Sequence, residues 1–166
     1  SNPAGIAMHL ANVLGEKGTL ISVEIREEHA QVGKQNMDRL KEILPEFPDW
    51  HLLVGDLIDV GDKVESICGN IDAAIIDMAE PWTVVDSIIP TLRIGGRIAC
   101  YCPTTSQLEK SWNACEEAGL EIEWAGEMIE RKWSKASKGG VRPGNQPMGH
   151  TAFLIIAAKI ASEEEE

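Results

Sequence analysis

The sequence is poor in the features that mark several common classes of protein. Aromatic residues make up 5% of the 166 residues, and there is a single tyrosine. No apolar run approaches the roughly 18 residues that a membrane helix needs, and no secretory or transit signal is recognisable. No internal repeat is present either. The length predicts one domain. The lack of a targeting signal and of a long apolar run favours a cytoplasmic location and no membrane partner.

The cysteines lack the spacing that marks a metal site. Cys68, Cys100, Cys102 and Cys115 form no C-x-x-C pair, and no histidine stands beside them at ligand spacing. We therefore expect no zinc site and no other metal centre. Cys100 and Cys102 are two apart on a predicted strand and should point to the same face. Buried free thiols in a reducing compartment are the simplest interpretation.

Negative charge dominates the chain but is missing from one stretch. The formal net charge of −12 argues against a protein that binds nucleic acid nonspecifically over its whole surface. No Asp or Glu occurs between Arg131 and Ser162, where several cations cluster. The candidate phosphate contacts there are Lys135, Lys138 and Arg142. This basic stretch is either a solvated loop tip or an RNA contact, and the local excess of cations favours RNA.

Patterns of apolar residues and turn signals predict an α/β fold. Helices are expected at 4–13, 27–44, 82–92 and 104–118, the last with Thr104 or Thr105 as its N-cap, and a loop with at most a short helix at 55–70. Strands are expected at 19–23, 50–54, 71–76, 97–101, 120–133 and 151–159, with a loop at 134–148. The last two strands have no helix between them, so they should form an antiparallel hairpin at the edge of a mostly parallel sheet. The acidic tail at 162–166 is expected to be disordered.

The strand predicted at 71–76 is the centre of the functional hypothesis. Its nearly continuous apolar run is typical of a strand buried on both faces of a parallel sheet, and it stops at Asp77. Ligands of open α/β sheets bind at the carboxyl ends of strands. Asp77 would either cap the next helix or hold an amino-bearing base beside the reactive group of a cofactor. Trp82, which follows Pro81, would either stack on that base or belong to the core.

Further polar residues stand at the ends of neighbouring predicted strands. Glu24 could accept hydrogen bonds from ribose hydroxyls, and Asp56 could accept one from an adenine amine, so together they favour a cofactor that contains adenosine. Tyr101 would lie beside Asp77 across the sheet, and Gln107 would face the same cleft from the following helix. His150 precedes the final strand; it is kept as a candidate RNA contact, although an ordinary hydrogen-bonded histidine is the simpler interpretation.

Several motifs together resemble one family. They are VEIRE at 23–27, IDMAEPW at 76–82, CYCPTTSQ at 100–107, VRP at 141–143 and GHTAFL at 149–154. In this order they resemble the tRNA (adenine-N1)-methyltransferases that modify adenine 58 in the T loop. The resemblance spans nearly the whole chain.

The resemblance implies a fold, a cofactor and partners. The fold would be the Rossmann-like class I methyltransferase fold, over a catalytic domain at 1–161. Glu24 and Asp56 would bind S-adenosylmethionine, Asp77 would hold the target adenine next to it, and Tyr101 would line the adenine pocket. The partners would be tRNA and further copies of the chain in a homotetramer. The family's N-terminal domain and first strand are expected to be missing here, with Gly5 as the remnant of the glycine-rich cofactor turn.

Other functions stay open on the sequence. A catalytically silent tRNA-binding subunit would explain the missing cofactor turn, although it would have no need of Glu24, Asp56 and Asp77 together. A methyltransferase that acts on another substrate is a further alternative. An NAD-dependent oxidoreductase fits less well, because the chain has no Tyr-x-x-x-Lys motif and should end in an antiparallel hairpin.

Overall fold

The structure, a computed structural model, describes residues 4–144 and 151–161. The helices are α1 (Gly5–Leu14), α2 (Glu27–Ile43), α3 (Leu57–Cys68), α4 (Val85–Ile88) and α5 (Thr105–Glu117). The strands are β1 (Thr19–Glu24), β2 (Asp49–Val54), β3 (Ile71–Ile76), β4 (Leu92–Cys102), β5 (Leu120–Gly126), β6 (Trp133–Lys135), β7 (Val141–Pro143) and β8 (Phe153–Lys159). Among the described residues, no helix is long and apolar enough to cross a membrane.

The chain divides into two units by its contacts, Ser1–Asn70 and Ile71–Glu166. In the first unit, β1 and β2 pair in parallel, from Thr19 opposite Asp49 to Glu24 opposite Val54. The apolar core of this unit gathers around Ala11, Leu20 and Met37, which come from α1, β1 and α2. The predicted catalytic domain over 1–161 stays a prediction, and the tail at 162–166 lies outside the described residues.

The span and the buried face of helix α2 agree with the helix that the sequence predicts at 27–44. Glu27 and Glu28 lie in its first turn, where carboxylates interact favourably with the helix dipole. Ala30 and Met37 are seven positions apart and both buried, as expected of one helical face. The helix ends just before Pro45, which disfavours a helical conformation at the preceding residue.

Helix α3 is longer than the short helix allowed for in this region. It spans Leu57–Cys68 and begins at Asp56, whose side chain accepts a hydrogen bond from the Ile58 amide at 3.0 Å. Val60 and Val64 are buried, one turn apart. The cap and this apolar spacing outweigh the cost of Gly61 within the helix.

The second unit contains a four-stranded mixed sheet in the order β3-β4-β8-β5. Strands β3 and β4 are parallel, and β8 runs antiparallel to both β4 and β5. The predicted antiparallel hairpin of β5 and β8 is therefore confirmed. Strand β8 lies between β4 and β5, so the last strand of the chain is inside the sheet and β5 is the edge strand.

Strand β3 has the predicted boundaries, but the prediction that it is buried on both faces is wrong. Only Ile76 of its six residues is buried, and Ile75 is 45% exposed. The physical reason is that β3 packs mainly against β4: within the described residues it is an edge strand, and no helix packs extensively over its faces. An apolar run thus indicated a strand but not its place in the sheet.

The connection from β3 to β4 differs from the expected long helix. A 3-10 turn (Pro81–Val84) leads into the short α4, and β4 already begins at Leu92. Gly96 lies within β4 rather than in a preceding turn. An added Cβ there would come within 2.8 Å of the Arg93 carbonyl oxygen and of Leu92, so only glycine fits. Strand β4 therefore begins five residues before the strand expected over 97–101, and its pairing with β3 is irregular there.

The stretch after β5 also contains structure that the sequence did not predict. The strand expected over 120–133 ends at Gly126, and part of the expected loop forms a hairpin of β6 and β7. The turn closes with a hydrogen bond from the Ala136 amide to the Gly140 carbonyl at 2.9 Å. Gly139 and Gly140 both have positive φ angles, 90° and 86°, which glycine adopts readily.

Candidate active site

Asp77 is the first residue after β3, and its side chain is exposed. Within the described residues it makes no hydrogen bond or ion pair. Asp77 does not cap the next helical segment, because Glu80 occupies the N-cap position of the 3-10 turn. The carboxylate therefore has both oxygens available for a ligand at the carboxyl end of a parallel strand.

Tyr101 occupies the matching position on the neighbouring strand. The parallel register of β3 and β4 runs up to Ile76 opposite Cys100, and Asp77 and Tyr101 are the next residue on each strand. Tyr101 is 39% exposed and pairs with Leu154 on its other side. The structure thus brings the two predicted catalytic residues to the same end of two adjacent strands of one sheet.

Gln107 contacts the loop that follows Asp77. Its side-chain Nε2 donates to the Ala79 carbonyl oxygen at 2.9 Å. Its Oε1 accepts from the Thr104 amide at 3.0 Å and from the Thr104 hydroxyl at 2.8 Å, which forms a capping box at the start of α5. Thr104 is confirmed as the N-cap. The side chain of Gln107 is thus engaged with protein atoms at both ends, and an RNA contact stays a prediction.

Trp82 is partly buried and has a cation over its ring. The Lys110 ammonium lies 4.5 Å from the ring centroid, a cation–π contact. A base could stack on Trp82 only on the other ring face or by displacing Lys110. Sequence reasoning missed Lys110, although it is three positions after Gln107 and so shares a face of α5 with it.

Glu24 ends β1 in the first unit and is held by its neighbours. Its Oε1 accepts from the Arg26 amide at 3.0 Å and from the Arg26 Nε at 3.3 Å, while His29 Nδ1 is 4.0 Å from Oε2. Partial burial raises the pKa of Glu24, but the hydrogen bonds and charge of Arg26 outweigh it, so the net pKa is lowered. The carboxylate is therefore ionised, and its Oε2 can accept hydrogen bonds from the hydroxyl groups of a ligand.

Asp56 follows the adjacent parallel strand and has a structural role as well as a candidate one. Its Oδ1 caps α3, whereas Oδ2 has no hydrogen bond within the described residues. The amide of Gly55 donates to the Glu24 carbonyl at 3.1 Å, which ties the ends of β1 and β2 together. The two acids predicted to bind the cofactor therefore stand on adjacent strand ends of one sheet.

Gly5 begins α1, which packs against β1. Only residues 15–18 connect this helix to β1. Ala4, the N-cap, has a left-handed φ of 66°, and no side chain caps the helix. The backbone thus keeps a conformation that glycine normally supplies, with an alanine in it.

The basic hairpin of β6 and β7 does not gather its cations on one face. Ser134 pairs with Arg142 and Lys135 pairs with Val141. Because side chains alternate along a strand, Lys135 shares a face with the exposed Trp133 and Val141, while Arg142 points to the other face. Lys138 lies in the turn. His150 lies outside the described residues, so its predicted role has no structural test here.

All four cysteines lie within the described residues, and none of them forms a disulfide. Cys100, Cys102 and Cys115 are buried and Cys68 is partly buried. The Cys102 sulfur lies 3.5 Å from the buried Ser111 hydroxyl. A hydrogen bond with Cys115, together with burial, raises the pKa of Cys100. In the part of the chain that the structure describes, no group of three metal-ligating side chains is close enough to hold a metal ion.

Comparison with known proteins identifies a family of similar sequences. The profile of the family described as the tRNA methyltransferase complex GCD14 subunit matches residues 3–138. The tRNA (adenine(57)-N(1)/adenine(58)-N(1))-methyltransferase TrmI of Methanocaldococcus jannaschii is 29% identical over 92% of this chain and 60% of its own. The tRNA (adenine(58)-N(1))-methyltransferase TrmI of Thermus thermophilus is 28% identical over 91% of this chain and 56% of its own. The chain thus spans less than two thirds of these relatives.

The fold is shared with a solved methyltransferase structure. The crystal structure of an S-adenosylmethionine-dependent O-methyltransferase from Thermotoga maritima matches with a TM-score of 0.68 and 21% identity, over 96% of this chain and 65% of that one. This likeness confirms the predicted fold class, a Rossmann-like α/β methyltransferase fold with a C-terminal antiparallel hairpin.

Proposed function

Since the chain belongs to the family described as the tRNA methyltransferase complex GCD14 subunit, we propose that it is the catalytic part of a tRNA methyltransferase. The reaction is the S-adenosylmethionine-dependent methylation of N1 of adenine 58 in the T loop. The observation that carries this proposal is the exposed, unpaired Asp77 at the carboxyl end of β3, beside Tyr101.

Asp77 gives the proposed reaction its geometry. Its carboxylate accepts a hydrogen bond from the exocyclic amine of adenine, which directs the adjacent N1 and raises its electron density. S-adenosylmethionine, when bound, supplies a methyl group on a positively charged sulfur. Transfer of a methyl group from a sulfonium needs alignment more than acid catalysis, so orientation of the base is the main contribution of the protein. Tyr101 lines the same pocket and restricts how the base can rotate.

The acids of the first unit fit the proposed cofactor. Glu24 and Asp56 end adjacent parallel strands, and each keeps an oxygen without a hydrogen bond. Two hydroxyls of a ribose suit the free oxygen of Glu24, and an adenine amine suits Asp56. Gly5, at the start of α1, adds a backbone that a ligand can approach closely.

The proposed substrate position is the one that both curated relatives share. The protein of M. jannaschii is named for adenines 57 and 58, and that of T. thermophilus for adenine 58 alone. Lys135, Lys138 and Arg142 contact tRNA phosphates in this proposal. We further infer that the complete protein is a cytoplasmic homotetramer, as the resemblance implies; sedimentation of the complete protein tests the oligomeric state.

Mass spectrometry of modified nucleosides tests the reaction directly. The complete protein is incubated with S-adenosylmethionine and an unmodified tRNA transcript, and 1-methyladenosine is expected in the digest. Mapping of nuclease fragments then separates position 57 from position 58. A transcript with guanine at position 58 is the matched control and should lose the product. Methylation that persists unchanged in that transcript would exclude adenine 58 as the target.

Calorimetry separates the enzyme from a silent tRNA-binding subunit. The complete protein should release or absorb heat when S-adenosylmethionine is added, and Glu24→Gln should weaken this binding. Binding of tRNA without any binding of S-adenosylmethionine at high concentration would favour the silent subunit instead.

A further inference from the structure

We propose that Gln107 is a positioning residue, which holds the loop between Asp77 and Pro81 so that the Asp77 carboxylate keeps its orientation toward the substrate. This inference rests on the proposed function for its catalytic consequence. The structural part concerns only the hydrogen bond between Gln107 and Ala79, and it can be measured separately.

The contacts of Gln107 connect a helix terminus to a loop that is distant in sequence. Its Nε2 donates to the Ala79 carbonyl at 2.9 Å, across 28 positions of sequence. Its Oε1 is fixed by the amide and hydroxyl of Thr104, at 3.0 and 2.8 Å. The amide group is therefore oriented by the first turn of α5, and the donor points at the loop in a defined direction.

Neighbouring contacts explain why this one hydrogen bond matters. Ile76 is buried before Asp77, and Pro81 is fully buried after it, so both ends of the loop are anchored in the core. Lys110, on the same face of α5, contacts the Trp82 ring beyond Pro81. The Thr83 hydroxyl, from the adjoining 3-10 turn, donates to the Glu80 carbonyl at the far end of the loop. Within the described residues, the Gln107 side chain is the only one from outside residues 77–84 that forms a hydrogen bond with the loop. Loss of that bond should free the segment next to Asp77 and leave the rest in place.

The residue type itself points to this role. A helix N-terminus favours glutamate as much as glutamine at the third position of a capping box, and glutamate also suits the helix dipole. Glutamate would keep the acceptor for Thr104 but would have no donor for the Ala79 carbonyl. A purely structural cap therefore tolerates glutamate, whereas a contact that positions the loop requires the glutamine amide.

Gln107→Glu in the complete protein tests the proposal. The variant keeps the capping box, so its thermal unfolding should match that of the parent or occur at a higher temperature. We expect kcat for tRNA methylation to fall about 10-fold or more, because small displacements of a positioning group have large effects on rate. KM for S-adenosylmethionine should change little. Amide hydrogen exchange in a peptide that covers residues 77–84 should become faster. Thr105→Glu, which adds the same charge to the same helix turn without contacting Ala79, should change neither kcat nor exchange.

The outcomes distinguish this inference from the proposed function. If kcat and exchange of the 77–84 peptide are unchanged in Gln107→Glu, the positioning role is wrong. Equal losses in Thr105→Glu would attribute the effect to charge and would also overturn it. If the parent protein shows no methylation at all, the proposed function fails, while faster exchange in Gln107→Glu alone would still establish the structural role of Gln107.

Discussion

Ile76 and Cys100 are the last paired residues of the parallel strands β3 and β4, and a polar residue follows each of them, Asp77 on one strand and Tyr101 on the other. The carboxyl ends of two adjacent parallel strands thus carry a carboxylate on one strand and a phenol on the other. This arrangement depends on backbone register alone, so single substitutions of either side chain should leave the sheet intact.

Asp77→Ala should abolish most of the methyl transfer without loss of the fold. We expect kcat to fall about 100-fold, because the base loses the acceptor that orients it. Affinity for S-adenosylmethionine should stay within a few-fold of the parent, which calorimetry can measure. Glu80→Gln, a change to another exposed acid of the same loop, is the control and should retain activity. Similar turnover in the Asp77 variant and the parent would remove this residue from the mechanism.

Single substitutions in the basic hairpin should identify the face that meets tRNA. Lys135 lies on the face of the exposed Trp133, a combination of cation and aromatic ring that suits nucleic acid, whereas Arg142 lies on the opposite face. We expect Lys135→Gln to weaken tRNA binding and to reduce the slope of log K against log salt by about one. Arg142→Gln should have a smaller effect.

The matched pair makes the hairpin measurement decisive, because each variant removes one positive charge. Equal slopes of log K against log salt for both variants and the parent would mean that the hairpin does not contact tRNA. A larger effect of Arg142→Gln would assign the contact to the other face.

The buried thiols predict a loss of stability at alkaline pH. The hydrogen bond that the Cys100 thiol donates to Cys115, together with burial, raises the pKa of Cys100, and burial raises that of Cys102. The same hydrogen bond lowers the pKa of Cys115, which acts in the opposite direction, below the pKa of the unfolded thiol. In the unfolded chain these thiols ionise near a pKa of about 8.5. Above that pH the unfolded state binds fewer protons than the folded state, so the free energy of unfolding decreases as pH rises. Thermal unfolding measured at steps of about half a pH unit, between about pH 8 and pH 10, should show that Tm falls as pH rises.

Variants separate the thiols from other alkaline groups. Cys102→Ala should reduce the dependence of Tm on pH. An identical pH profile in the Cys102 variant would mean that another group causes the loss.

The N-cap of α5 predicts a modest effect on stability. Thr104→Ala removes the hydroxyl that accepts from the Gln107 amide at 3.3 Å. Loss of such a cap costs about 1 kcal/mol of the free energy of unfolding, or a Tm decrease of about 3 °C for a chain of this size. Differential scanning calorimetry measures it. Thr104→Ser keeps the hydroxyl and should restore most of the stability; if it is as destabilised as Thr104→Ala, the hydroxyl is not the cause.

Sequence patterns predicted those parts of the fold that local signals determine. The boundaries of β3, the end of α2 before Pro45 and the cap at Thr104 follow from an apolar run, a proline and a hydroxyl, each of which acts over a few residues. Helix α3 was underestimated because Gly61 and several acids obscure the spacing of Val60 and Val64. The Asp56 cap was a usable signal, but this aspartate was considered only as a ligand.

The site was predictable to the extent that it depends on strand ends. Consecutive parallel strands bring their carboxyl ends together, which is why Asp77 and Tyr101 were expected side by side. Contacts between distant segments leave no such pattern. The hydrogen bond from Gln107 to Ala79 and the contact of Lys110 with Trp82 depend on how α5 packs, and the split of Lys135 and Arg142 depends on a hairpin that the glycine-rich stretch did not reveal.

The interior position of β8 has a consequence for how the protein is made. Strand β5 joins the four-stranded sheet only through β8, which runs between it and β4. During synthesis β5 leaves the ribosome well before residues 153–159, and until they emerge its backbone groups on the β8 side can hydrogen-bond only to water or to another exposed strand. The second unit cannot complete its sheet from the N-terminus onward, so its folding is coupled to the late appearance of one short segment and is most vulnerable to aggregation in that interval.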